Sequence, residues 1–421
     1  MKKKVLVRGP VLSQTGYGVQ SRFALRALRH FEDSRFEIYI IPVGWGRSSW
    51  VSDDTEERRW IDERIRETGI YASEGGQFDI SLQITIPQEW EPLAPINIGY
   101  TAGVETTRVS SLWLEKCNMM DRIIAISKHT KWGFENSSYS GTNPETNMPI
   151  HLKLETPMDV VSYPVRTYEA AKLDLKFEYD FNYLVVAQWG PRKNLENTIR
   201  WFIEENYDQE VGLVIKTFSM KNCLMDRNYT STRLKKILNE YKDGDRKCKI
   251  YLLHGDMTNE EMTGLYRHPG IKALISLTHG EGFGLPIFEA AYNELPIITT
   301  DWGGQVDFLY APDKGKKKKA MFSKVKYDIG PVQQEVLWEN VIIEGSQWCH
   351  PDGGSFKMRL REVRNNYKKY KSMAKKLYKY VNVEFAPEKQ YELFANSVCG
   401  PDFLEMESWL TELENSEQVF E

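Results

Sequence analysis

The stretch from Ala273 to Tyr292 constrains this chain more than any other. Ala273 to Leu277 is a short apolar run that reads as a buried parallel strand. Gly280-Glu281-Gly282-Phe283-Gly284 follows as a turn, and Pro286 stands where helices accept proline, in the first turn of a helix continuing from Ile287 to Asn293. Leu295 to Thr299 restores a strand. Strand, glycine turn, helix, strand is a βαβ unit, and open α/β sheets bind ligands at the carboxyl ends of such strands. Glycines let backbone N–H groups approach a ligand without a Cβ in the way. The free amides of a helix start favour an anion, most simply phosphate. Glu281 lies in the turn and Glu289 about two helical turns later. Carboxylates beside a phosphate site are expected where hydroxyls must be held, as on sugars and riboses.

With its interior glycines, Leu285-Pro286 and a second glutamate at Glu289, this stretch resembles the donor-site signature of retaining GT-B glycosyltransferases of family 4 type. The resemblance implies an α/β chain of two Rossmann-like domains facing each other across a cleft, with a C-terminal helix crossing back to the first. It implies that Glu281 contacts a donor sugar, that Glu289 binds the ribose of a nucleotide sugar, and that amides of Gly282, Phe283, Gly284 and Leu285 hold the diphosphate.

A length of 421 residues fits two domains. The expected division is residues 1–168 as the acceptor-side domain, 169–385 as the nucleotide-sugar domain, and 386–421 as crossing helix and acidic tail. Hydrophobic content of 41% supports sizeable cores, and a net charge of −4 gives no nucleic-acid footprint. Five scattered cysteines without a CxxC pair read as reduced thiols of a cytoplasmic protein. Met-Lys-Lys-Lys leads into an apolar run too short for export, and no run is long enough to span a membrane. No His, Asp or Glu cluster has metal-ligand spacing, so neither metal nor cofactor is expected beyond the nucleotide sugar as co-substrate.

Lys4 to Val7 reads as the first strand, followed by a loop containing Gly16 and Gly18 and an amphipathic helix from Val19 to Phe31. In the family this glycine loop faces the donor diphosphate. Phe36 to Pro42, Phe78 to Ile86, Pro95 to Thr101 and Asp121 to Ser127 read as further strands, with a charged helix from Asp53 to Glu67 and a Ser127-capped helix from Lys128 to Phe134. Glu105 and Arg108 follow a strand end, where they either contact acceptor or donor sugar or form a surface pair. Neither His129 nor His151 stands where many family members place a first-domain histidine. Residues 137–153 read as a polar insertion or mobile loop, and the linker is expected between Pro164 and Leu175.

Phe181 to Gln188 opens the second domain and runs into Arg192-Lys193-Asn194 and a helix from Leu195. Lys193 matches the family lysine that neutralises the donor diphosphate. The second basic residue is replaced by Gln188, which leaves Arg192 and Lys216 as candidates for that charge. Arg192 is expected to point away from Lys193, as neighbours in an extended turn do. Tyr229 to Tyr241 reads as a helix, and Gly303-Gly304 as a loop able to approach the donor sugar. Five lysines between Lys314 and Lys319 read as a solvated loop, with contact to an anionic membrane or acceptor as the rival. From Asp402 onward there are seven acids and no base.

The expected function is metal-independent, retaining transfer of a sugar from a nucleoside diphosphate to a hydroxyl on a glycan, lipid-linked or protein acceptor. The rival is a non-catalytic GT-B partner or glycan-binding scaffold, which Gln188 favours and the Glu281–Glu289 pair opposes.

Overall fold

The computed structural model describes residues 2–46, 54–142, 147–242, 244–313, 315 and 317–401. The first sheet is built from β1 (Lys3–Gly9), β2 (Phe36–Pro42), β3 (Ile80–Gln83), β4 (Ile96–Thr101) and β5 (Arg122–Ala125). Between them lie α1 (Gly16–His30), α2 (Glu56–Ser73), α3 (Ser111–Cys117) and α4 (Lys128–Glu135). A hairpin follows, β6 (Ser138–Thr142) with β7 (Pro149–Lys153), and then the last strand of the sheet, β8 (Met158–Val160). The order is β2-β1-β3-β4-β5-β8, all parallel. Parallel strands covered on both faces must be apolar throughout, and Val5, Val7, Ile98, Tyr100 and Ile124 are buried.

Residues 161–181 carry no strand or helix. Beyond them β9 (Asn182–Val186), α5 (Leu195–Asn206), β10 (Gly212–Thr217), α6 (Leu224–Asn239), β11 (Lys249–His254) and α7 (Asn259–Tyr266) precede the signature unit. That unit is β12 (Ile271–Ser276), α8 (Leu285–Ala291) and β13 (Ile297–Thr300). The small hairpin of β14 (Tyr310–Pro312) and β15 (Lys318–Ala320) leads to β16 (Ser323–Val325) at the sheet edge. The second sheet runs β11-β10-β9-β12-β13-β16, again all parallel. Its order reverses between β9 and β12, the switch point at which open α/β sheets place ligands.

An antiparallel pair, β17 (Tyr327–Pro331) and β18 (Gln347–Pro351), subtends an arm of residues 332–346. Helices α9 (Gly353–Asn365), α10 (Tyr367–Glu384) and α11 (Pro387–Cys399) close the described chain. Pro387 at the start of α11 sets a new direction after α10, and α11 crosses to the first sheet's layer. Phe394 is fully buried there, with ring centroids 5.3 Å from Phe23 and 5.1 Å from Tyr100.

Several elements differ from the sequence expectation. The insertion begins and ends as the β6–β7 hairpin, because Tyr139 and Leu152 give it an apolar side against the first-domain core. Residues 143–146 lie outside the described residues. Helix α6 starts at Leu224, where Asp226 in its first turn accepts the Ser219 and Met220 amides at 2.9 and 3.0 Å. The strand expected over 78–86 pairs only from Ile80 to Gln83. Lys319 and Lys376 both pair with Asp313, so part of the lysine run is fixed against α10 rather than free. Lys314, Lys316, Asp53 and the acidic tail lie outside the described residues.

Candidate functional site

The turns after β9 and β12 adjoin because those strands pair, Leu184 opposite Leu274. Residues Pro191–Lys193 make one turn of 3-10 helix, and the left-handed Asn194 (φ 51°) leads into α5. This corrects the extended turn expected there: the tighter winding brings both cations to one side. Lys193 Nζ lies 2.5 Å from Glu281 Oε1, and Arg192 Nη1 lies 3.3 Å from Glu281 Oε2. Arg192 Nη1 also donates to the Gly280 carbonyl at 2.6 Å and stands 3.2 Å from Glu105 Oε1 of the first domain. The four side chains form an alternating ionic chain across the interdomain cleft.

Burial pushes the Glu281 carboxyl up, but the charges of Lys193 and Arg192 outweigh it and hold it below the ordinary glutamate value. Burial, together with the neighbouring Arg192 charge, pulls the Lys193 ammonium down against the pull of Glu281. Two cations sharing one carboxylate leave positive charge at the cleft floor, and Glu105 offsets it from the opposite wall. Glu289 behaves in the opposite sense to Glu281. Burial raises its carboxyl above the ordinary value, opposed by the Tyr266 hydroxyl, which donates at 2.8 Å, and by Arg166 and Lys216.

The cleft encloses about 1080 Å³. Its wall includes Gly16, Glu105, Gln188, Arg192, Lys193, Lys216, Glu281, Gly282, Phe283, Gly284 and Leu285. Gly18, Arg108, Glu289, Gly303 and Gly304 are outside that lining. Arg108 instead stacks on Tyr139, its guanidinium carbon 5.0 Å from the ring centroid. Gln188 donates to the Ser219 carbonyl at 3.0 Å and brings no charge.

The glycines are explained by packing as much as by ligand approach. A Cβ on Gly282 would sit 2.7 Å from the Ala102 carbonyl oxygen, and one on Gly280 would sit 2.4 Å from that of Glu105. Both contacts belong to the first domain, so these glycines let the two domains meet. Gly304 is held against the signature turn, where a Cβ would lie 1.9 Å from the Gly282 oxygen, and its amide donates to the Glu281 carbonyl at 2.8 Å. Gly18 packs equally tightly on Ser13. Gly284 has the left-handed φ of 91° that starts α8. Ser127 Oγ donates to the Gly282 carbonyl at 2.6 Å, and the Lys128 amide to Asp307 Oδ2 at 2.7 Å.

Sequence reasoning missed the arm of residues 332–346. It rises beside the signature, since the Cys349 amide donates to the His279 carbonyl at 3.0 Å. Its tip reaches the first domain, where Ser110 Oγ donates to the Asn340 carbonyl at 2.9 Å and Val341 enters the core with Trp90 and Trp113. Trp338, Val341 and Ile342 thereby join the cleft wall. The only signal was an apolar Val341-Ile342-Ile343 run without a helix or strand partner in sequence.

No known family profile matches the chain. Over 190 residues it is 27% identical to the serotype-specific mannosyltransferase WbdA of Escherichia coli, a match covering 43% of this chain and 21% of that protein. The chain therefore spans about a fifth of the curated relatives it matches. In three dimensions it is similar to a sucrose-phosphate synthase from Thermosynechococcus elongatus (TM-score 0.59, 12% identity, 99% and 100% of the two chains covered). It is also similar to Anabaena Alr3699/HepE in complex with UDP and glucose (TM-score 0.54, 11% identity, 93% and 98% covered). The fold is GT-B. The two parallel six-stranded sheets are its paired Rossmann-like halves, and the cleft between them carries the ionic chain. Among the described residues of this GT-B chain no group of three or more His, Cys, Asp or Glu side chains is arranged to hold a metal ion, and no helix is long and apolar enough to cross a membrane.

Proposed function

We propose that this chain is a retaining glycosyltransferase of family 4 type that moves a hexose from a nucleoside diphosphate to an acceptor hydroxyl. The observation that carries the reading is the convergence of Lys193 and Arg192 on Glu281 at the switch point of the second sheet. A diphosphate leaving group gains negative charge as the glycosidic bond breaks, and fixed cations aimed at it stabilise the transition state above the ground state. Lys193 and Arg192 supply that charge without a metal, and Arg192 takes the place that Gln188 leaves uncharged. When phosphate oxygens draw the cations, Glu281 is released to accept hydrogen bonds from the donor sugar. Glu289, which accepts from Tyr266 outside the cleft lining, binds the ribose once its side chain turns into the cleft, and the leaving phosphate oxygen takes the acceptor proton.

The similarity to a mannosyltransferase makes mannose the first sugar to test, and the UDP-glucose complexes of fold relatives make glucose the second. The test is nucleotide-dependent thermal stabilisation with UDP-, GDP- and ADP-sugars, followed by turnover with and without chelator. Lys193→Ala should lower kcat by at least ~100-fold, the scale of losing one oxyanion-stabilising donor. Retention of wild-type kcat in this variant, or activity abolished by chelator and restored by Mg²⁺ or Mn²⁺, would contradict the reading.

A further inference from the structure

We propose that Tyr266 is a latch on the nucleotide site: its hydroxyl holds Glu289 outside the cleft in the ligand-free chain, and Lys216 receives the carboxylate when it turns in to meet the ribose. The proposal rests on the donor reading above and names the residues that position Glu289 for it.

Glu289 lies four residues after Leu285 in α8, so the two share one face of the helix. Leu285 is part of the cleft wall and Glu289 is not. Helix side chains lean toward the N-terminus, here the end that meets the cleft, so the cleft lies on the side to which the carboxylate can turn. What holds it back is Tyr266, the last residue of α7. Tyr266 is 2% exposed, and its hydroxyl donates to Glu289 Oε2 at 2.8 Å. Burial pushes this hydroxyl well above its ordinary value, so it remains a proton donor throughout the neutral range. No other hydrogen bond reaches the carboxylate among the described residues.

On the cleft side stands Lys216, the penultimate residue of β10. It lines the cleft and makes no ion pair among the described residues. Burial pulls its ammonium down, opposed by the charges of Asp256 and Glu289, and Lys216 in turn opposes the rise of the Glu289 carboxyl. The two groups therefore act on each other without touching. Arg166 also acts on Glu289, but from outside the cleft lining, with its guanidinium carbon 5.0 Å from the Tyr168 ring centroid. The carboxylate thus stands between a donor that holds it back and a cation that can receive it. Turning gives up a buried hydrogen bond to a charged group, and contact with Lys216 offsets that loss.

The full chain is titrated calorimetrically with UDP, GDP and ADP and with their 2′,3′-dideoxy counterparts. The ratio of dideoxy to ribo Kd isolates the ribose hydroxyls from the phosphates and the base. The wild type should bind the ribo form of its preferred nucleotide more tightly than the dideoxy form. Tyr266→Phe removes the latch and keeps the ring, so it should tighten the ribo form about 3-fold or more, the scale of one net hydrogen bond, and leave the dideoxy form unchanged. Lys216→Met should narrow the ratio by a similar factor. In a Glu289→Ala background Tyr266→Phe should no longer move the ratio. A hydroxyl that orients Glu289 or only packs beside it predicts that Tyr266→Phe binds the ribo form equally or more weakly, and that result overturns the latch while the donor reading stands. Equal binding of ribo and dideoxy forms by the wild type would remove the ribose contact and the latch with it, and no binding of any of the three nucleotides would remove the donor reading itself.

Discussion

Glu281 and Glu289 occupy one short segment but are held in opposite electrostatic states. Glu281 is depressed by two cations and its folded-state pKa lies below the unfolded one. Its contribution to stability is therefore present above the unfolded value and is lost as pH falls through the folded value, in the acid region beneath ordinary glutamate. Glu289 is raised by burial, so its sign is reversed: the folded state favours the protonated form, and that advantage fades as pH rises through the raised value. Glu281→Gln should thus lower Tm at neutral pH, since it leaves Lys193 buried without its counter-charge, a change that typically costs about 3–5 kcal/mol for a buried pair. Glu289→Gln should raise Tm of the ligand-free protein at pH 7 while weakening nucleotide binding. Thermal melts at pH 7 with and without nucleoside diphosphate check both signs. A Glu289→Gln protein that is less stable and binds nucleotide normally would show that this carboxylate serves the fold.

The signature turn shows why part of the site was legible in sequence and part was not. The strand–turn–helix order follows from local patterns, since apolar runs, glycine turns and Pro286 act within a few residues, whereas Glu281 and Lys193 stood out through the resemblance to the GT-B donor site. That Arg192 shares the Glu281 carboxylate was not legible, because the 3-10 winding at Pro191–Lys193 depends on the left-handed Asn194 and on the neighbouring turn. The arm bearing Trp338 was hidden for a related reason: its partners Ser110 and Thr107 are more than two hundred residues away. The glycines were legible as glycines, but the contacts that Gly280 and Gly282 permit belong to the opposite domain. Gly282→Ala tests that assignment. The added methyl meets the Ala102 carbonyl at 2.7 Å, and backbone on both sides cannot yield as a flexible side chain would. The expected outcome is a cleft held open, seen as a larger radius of gyration in solution scattering and a weakened response to nucleotide. The isolated α8 packing should persist, because Phe288 and Ala290 are untouched. An unchanged scattering profile would place the methyl group in free space and refute the packing account.

Across the whole molecule, the two halves are tied at the cleft by few polar contacts and behind it by α11. Phe394 between Phe23 and Tyr100 anchors the back, and Val341 on the arm, buried with Trp90 and Trp113, adds an apolar tie from the second half to the first. The front contacts include Ser127 to the Gly282 carbonyl, Lys128 to Asp307 and Glu105 to Arg192, and the arm adds Ser110 to the Asn340 carbonyl and the Gln347 amide to Thr107. Of these, Glu105 to Arg192 engages a cation that the diphosphate reading needs. On the diphosphate reading, Glu105 competes with a phosphate for the Arg192 guanidinium, 3.2 Å from its carboxylate. The Glu105 and Arg192 side chains are 25% and 28% exposed, so water screens the pair and its worth is modest, about 0–1 kcal/mol for exposed pairs. Glu105→Gln should then tighten nucleoside diphosphate binding by up to about 5-fold, with the gain shrinking as salt rises. Isothermal titration at two ionic strengths measures both effects. If Glu105→Gln binds nucleoside diphosphate more weakly, the carboxylate cooperates with the ligand rather than competing with it, and Arg192 needs Glu105 to be held in place.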